Sequence, residues 1–168
     1  MLKMSKIALA GAAMVASLVS TGANAATQSA TAEVKIVSAV VLTKYQDLDL
    51  GSVAVGSTAG TVTMAASSAT AATCSTGLTC FGAAKAARLR VTTAAQGATI
   101  AIGGSSSISL TGPSGSTPMT LTLNRSTNSL NFDSANLVDI YVGGQLAVAA
   151  SQAAGTYNGS FNVTADYQ

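Results

Sequence analysis

Residues able to do chemistry are scarce in this chain. Of its 168 residues none is His or Trp, and only 8% are charged. Without histidine, Ser-His-Asp and Cys-His nucleophile activation is excluded, and most zinc and haem sites go with it. Two cysteines remain, Cys74 and Cys80, separated by Ser-Thr-Gly-Leu-Thr. That gap is too long for a Cys-x-x-Cys redox centre, and no further Cys completes a metal set. A turn at Gly77 would let the pair bridge in an oxidising compartment, so it reads as a structural disulfide stapling a small loop. Asp47-x-Asp49-x-Gly51 opens like a calcium loop, but Thr58 stands where the closing Glu belongs. The two acids read instead as solvent-facing side chains on a strand. Lys85, Arg88 and Arg90 form one basic cluster, with Phe81 its only nearby aromatic, far short of a nucleic-acid footprint. There is no Gly-x-Ser-x-Gly elbow, no Ser-x-x-Lys pair and no P-loop, and the Asp residues show no paired spacing for acid–base work. The expectation is a non-catalytic protein with no cofactor, no metal and no nucleic-acid partner.

The N-terminus sets the compartment. Lys3 and Lys6 precede an apolar run from Ile7 to Val19, which ends in Ala23-Asn-Ala25. Positive, apolar and small-x-small regions in that order make residues 1–25 a signal peptide, cleaved before Ala26. The apolar run is too short to span about 30 Å of hydrocarbon. Leu137 to Ala150 is interrupted by Asp139 and Gln145, so the mature chain has no expected membrane span. Two of the eight basic residues leave with the signal, and the remaining six balance six acids. A chain without net charge favours self-association over electrostatic steering.

What would position these residues is a set of short period-2 segments divided by Gly, Ser, Asn and Asp. Thr31 to Leu42 sets Ala32, Val34 and Ile36 against Thr31, Glu33 and Lys35, and reads as the first strand. Asp47 to Gly51 puts Leu48 and Leu50 on one face. Further strands are expected at Gly60–Ala65, Ala87–Thr93, Ala98–Ile102, Ser107–Thr111, Met119–Leu123, Leu130–Asp133, Val138–Val142, Leu146–Ala149 and Ser160–Tyr167. Gly143-Gly144 and Asn158-Gly159 read as turns between strands. Residues 65–73 and 147–154 have some helical propensity but no 3.6-residue stripe. Many short strands at this spacing predict one all-β domain, a sandwich or barrel, over residues 26–168.

The C-terminal segment carries a family resemblance. Gly155-Thr-Tyr157-Asn-Gly-Ser-Phe161-Asn-Val163-Thr-Ala165-Asp-Tyr167-Gln168 resembles the last strand of chaperone–usher pilus subunits, with Gly155 and Tyr167 at matching positions. Together with Leu48-Asp-Leu-Gly51 and Gly143-Gly144-x-Leu146, it is more closely similar to the domain of unknown function 4402 family. Members of that family look like spore-coat-protein-U-like fimbrial proteins. The resemblance implies an immunoglobulin-like (pilin-like) β-sandwich, exported to the periplasm and then to the cell surface. It implies a periplasmic chaperone, an outer-membrane usher and neighbouring copies as partners, joined by strand addition. Gly155, Tyr157, Phe161, Val163, Ala165 and Tyr167 would form the assembly strand. The Cys common in the first pilin strand is absent, Ala39, Val40 and Val41 standing there. With residues 32–42 as the first strand, only Ala26–Thr31 would remain as a donor arm. Either that first strand is itself donated, or the protein is a self-contained secreted coat or matrix domain.

Overall fold

The computed structural model describes residues 26–69, 71–92, 95–132 and 137–168. The signal-peptide expectation for residues 1–25 lies outside the described residues. So does part of the Leu130–Asp133 strand, at Asp133. Among the described residues all regular structure is β, in twelve strands.

The largest sheet is organised by one long strand. β11 (Leu137–Val148) runs between β6 (Ala87–Thr92) and β3 (Gly60–Met64) along one edge and β9 (Met119–Arg125) along the other. β1 (Val41–Gln46) extends the sheet beyond β6, β4 (Thr73–Cys74) extends it beyond β3, and β8 (Ser107–Leu110) pairs with β9. A second sheet is ordered β10 (Ser129–Phe132), β7 (Ala98–Gly104), β12 (Val163–Tyr167). A two-stranded ribbon joins β2 (Ser52–Val55) to β5 (Leu78–Phe81). Every pairing is antiparallel.

Alternation decides what is buried. In β6, Ala87, Leu89 and Val91 face the core while Arg88, Arg90 and Thr92 face out. Val91 and Ile140 of the large sheet meet Ile100, Ile102 and Phe132 of the second sheet in one cluster. A larger cluster gathers Val62, Leu89, Leu121, Val142 and Leu146 with neighbours from β2 and β5. Two facing sheets with apolar inner faces make this a β-sandwich. Fully burying each Ile or Val contributes about 1.5–3 kcal/mol, which lets a core with one phenylalanine hold the layers together.

Two sequence expectations are corrected. Val138–Val142 and Leu146–Ala149 are one strand, not two joined by a Gly143-Gly144 turn. Neither glycine has a positive φ. A Cβ at Gly143 would collide with the Met64 carbonyl oxygen and lie 2.7 Å from Ala65 C, and one at Gly144 would lie 2.6 Å from Thr122 O. The pair is needed where β11 exchanges β6 for β3 as neighbour, because backbones there approach too closely for any side chain. The first strand begins at Val41, not Thr31. Residues 31–40 carry no strand, and Val34 and Ile36 are 83% and 90% exposed. Alternation prepares a face, but a strand also needs a hydrogen-bonded neighbour. Among the described residues, no strand pairs with segment 31–40.

Cys74 and Cys80 are joined, with an S–S distance of 2.02 Å. The bridge fastens β4, at the edge of the large sheet, to β5 of the ribbon. Gly77 supplies the turn between them with φ 92°.

Candidate assembly surface

The segment 155–159 is a clasp over the end of β8. Gly155 adopts φ 151° and lies so close to the Pro113 ring that a Cβ would overlap it. The Tyr157 ring covers Gly112, where a Cβ would again collide. The Tyr157 hydroxyl donates to the Ala153 carbonyl at 2.9 Å and accepts from Gln152 Nε2 at 2.8 Å. Gln152 Nε2 also donates to the Thr117 carbonyl at 2.6 Å. Asn158 and Thr111 exchange two backbone hydrogen bonds, each 2.9 Å. Asn158-Gly159 is therefore a bridge rather than a turn, and Gly159 is small because Leu110 and the Ser109 carbonyl leave no room for a Cβ.

Beyond the clasp, Phe161, Val163 and Ala165 are half-buried, whereas Asn162, Thr164 and Asp166 are exposed. Phe161 and Val163 pack on the larger cluster, Val163 and Ala165 on the smaller. Tyr167 is 37% exposed, yet its hydroxyl is committed. It donates to the Ser38 carbonyl at 2.6 Å and accepts from Ala95 N–H at 2.9 Å. One phenol thus ties the end of β12 to the approach of β1 and to the β6–β7 connection.

β12 presents an unused edge. Gln168 N–H donates to Thr99 O and Ser105 N–H donates to Asn162 O, so the even-numbered residues turn their backbone groups toward β7. Val163, Ala165 and Tyr167 consequently turn theirs the other way. Among the described residues β7 is the only strand paired with β12, and β6 the only one paired with β1. Leu42 of β1 and Val163 of β12 border the same two apolar clusters. Two open edges therefore lie beside half-covered apolar side chains.

Ala32, Val34 and Ile36 form a separate feature. All three are exposed, as are Glu33 and Lys35 between them. This stretch has the alternation of a half-buried strand and, among the described residues, pairs with no strand.

The basic cluster divides. Arg88 and Arg90 project from the outer face of β6 onto Asp139 of β11: Arg90 Nε donates to Oδ1 at 2.7 Å and Arg88 Nε to Oδ2 at 2.9 Å. Both guanidiniums lie over the Tyr45 ring, at 5.5 and 4.7 Å from its centroid. The hydrogen bond from Arg90, joined by Arg88, outweighs burial and holds the Asp139 carboxyl at about 2. The same hydrogen bond raises Arg90 above its ordinary value. Lys85 does not join them on Asp139; its backbone is bridged to Asp49. Asp49 Oδ1 accepts from Gly51 N–H at 2.8 Å, and Asp47 pairs with Lys44 at 2.6 Å. Outward parity of residues 88, 90 and 139 was readable in the sequence. Nothing local indicated that Asp139 would lie across from Arg90, nor that Tyr45 would stack on both arginines.

No curated protein and no solved structure matches the sequence. The family model described as Domain of unknown function (DUF4402) matches residues 39–167, from the approach of β1 to Tyr167 of β12. That range takes in the clasp, both open edges and the disulfide, and the chain belongs to the DUF4402 family.

Proposed function

We propose that this protein is an exported, non-catalytic structural subunit of a surface fimbria, and that copies join by β-strand addition. Residues 31–37 of one copy add to the open edge of β12 in the next. The observation that carries the reading is the coexistence of a strand-patterned, exposed, unpaired segment and an open apolar-backed edge in one chain. Seven extended residues reach about 23 Å, longer than the five residues of β12 at about 17 Å. Main-chain hydrogen bonds to Val163, Ala165 and Tyr167 would provide affinity, and Ala32, Val34 and Ile36 would cover the flank of the core. Because the arm and the edge are different surfaces, the contact is head-to-tail and generates an open filament. The late start of β1 matters here. It leaves residues 26–40 outside the sheet, whereas a first strand from Ala32 would have left only Ala26–Thr31.

In this reading residues 1–25 direct export, the sandwich is immunoglobulin-like, and an open edge is an aggregation hazard until covered. A periplasmic chaperone would cover it first and an outer-membrane usher would exchange the cover for the next subunit. The test uses residues 26–168, a form lacking residues 26–37, and a peptide of residues 30–38. The longer protein should form oligomers by sedimentation. The truncated one should stay monomeric and take up the peptide, slowing hydrogen exchange at Val163, Ala165 and Tyr167. A soluble monomer in which residues 32–37 are themselves protected within the same chain would reject strand addition and favour a self-contained coat or matrix domain.

A further inference from the structure

On the outer face of the large sheet, away from the arm and from β12, lies a shallow depression of about 160 Å³. At roughly 30 Å³ per water it holds about five waters, the space of a small charged group rather than of an extended apolar ligand. Its wall combines Lys85, Arg88, Ser67, Ser68, Gln46 and Tyr141, and among the described residues no carboxylate lines it. Four elements converge there: the end of β1, β6 with the residue pair before it, β11 and the loop after β3.

The inventory of polar atoms is strongly biased toward donors. Among the described residues, Lys85 has no ion pair, since Asp49 turns its carboxylate onto Gly51 N–H and lies outside ion-pair distance. Arg88 spends Nε and Nη2 on Asp139, leaving Nη1 with two N–H groups. Ser67 Oγ already accepts from Ala69 N–H at 3.3 Å, so its own hydrogen remains to donate. Gln46 Nε2 donates to Ala86 O at 2.8 Å, which leaves Oε1 as the one obligate side-chain acceptor among the described residues of the wall. Charge tilts the same way. Arg88 and Arg90 share the single carboxylate of Asp139, so that triad carries one uncompensated positive charge, and Lys85 adds a second at the rim. Asp139 and the Tyr45 ring also hold Arg88 in place, which lowers the ordering cost of a further contact.

We infer that this depression binds an oxyanion group, a carboxylate, sulfate or phosphate, with Lys85 and Arg88 Nη1 supplying charge and Ser67 and Ser68 supplying hydrogen bonds. The group can reach it as a free ion or as the substituent of an anionic surface polysaccharide. The site shares no residue with the arm or with β12, so it stands whether or not copies polymerise.

The experiment is an amide-resolved NMR titration of the form lacking residues 26–37, which has no arm and stays monomeric, with inorganic phosphate and, separately, with an oligogalacturonate. Shifts should concentrate at Ser67, Ser68, Lys85, Arg88 and Tyr141 and saturate, with Kd near ~1 mM for a lone oxyanion. A tighter Kd for the oligomer would identify a polysaccharide source, and equal Kd values a free ion. Lys85→Ala should weaken binding about tenfold and leave the remaining spectrum in place. Lys44→Ala, on the exposed pair with Asp47, should change nothing. Shifts that follow every lysine alike, or that survive Lys85→Ala at full size, would overturn the assignment, as would no saturable shift.

Discussion

β6 and residues 31–37 have nearly the same pattern. Each alternates small or branched apolar residues with charged ones: Ala87, Leu89 and Val91 around Arg88 and Arg90, and Ala32, Val34 and Ile36 around Glu33 and Lys35. Their outcomes are opposite. Val91 is fully buried and β6 is paired on both edges, to β1 and to β11. Ile36 is 90% exposed and its segment is unpaired. Local pattern chooses the face a strand would show, and only a neighbour with open hydrogen-bonding groups makes it a strand. The difference suggests that the second segment lacks a partner rather than the capacity to pair.

Substitutions can break that comparison, beginning in the paired region. Ile140→Ala, opposite Leu89 in the β11–β6 register, removes a fully buried side chain from the cluster around Val91. It should lower stability by about 2–5 kcal/mol, read from the urea midpoint at unchanged slope. Gly143→Val should cost about 1–3 kcal/mol through overpacking, because Met64 and Ala65 backbone atoms occupy the space of its side chain. If that variant is as stable as the parent, the strand switch at Gly143 is not under steric control.

Replacing Cys74 and Cys80 together with Ser should cost roughly 2 kcal/mol, the loop-closure value for so short a span. The fold should survive, because the β3–β4 and β2–β5 pairings remain. The parent mass should be two hydrogens below the reduced mass. The outer face of β6 offers a pH test. Asp139 ionises at about 2 in the folded protein against an ordinary 3.8. Its folded value is depressed, so its contribution is complete above about pH 4 and is lost as pH falls through about 2. Asp139→Asn should therefore be less stable than the parent at neutral pH, and the two denaturation midpoints should converge toward pH 2. A gap that stays constant across that window would show that Asp139 acts by packing alone.

The smallest effect on the isolated subunit belongs to the unpaired segment. Ile36→Asp should shift stability by no more than about 0.5 kcal/mol, as for an ordinary surface change. It should nevertheless abolish oligomers, and the same change made in the peptide of residues 30–38 should abolish its uptake by the truncated form. A large loss of monomer stability would mean that Ile36 packs within its own chain.

Much of the sandwich was legible because its core-facing residues alternate. Gly60–Met64, Ala87–Thr92, Ala98–Gly104, Ser107–Leu110, Met119–Arg125 and the Val163–Tyr167 strand all lie where period-2 runs predict them. The strands around the disulfide were not legible. Thr73–Cys74 and Ser52–Val55 are short and rich in small residues, and they are strands because Val62 and Cys80 lie across from them. Glycine misled in a consistent direction: Gly143, Gly144 and Gly159 mark close backbone approach, a tertiary requirement that looks identical to a turn signal in sequence. The clasp was legible as a motif, Gly155-x-Tyr157-x-Gly159, but its target was not. Pro113 and Gly112 lie more than forty residues upstream.

The central place of β11 has a consequence in time. A polypeptide is made, and threaded through any pore, from its N-terminus onward. Until residues 137–148 emerge, β3, β6 and β9 have no common neighbour, and the large sheet exists only as separate two-stranded pieces such as β1–β6 and β8–β9. Gly144 must then find Met64, and Val142 must find both Ala87 and Arg125, in what amounts to a single late closure. Such long-range pairing is slow. The strands made before it therefore wait, with their apolar faces uncovered, for one strand that follows them all.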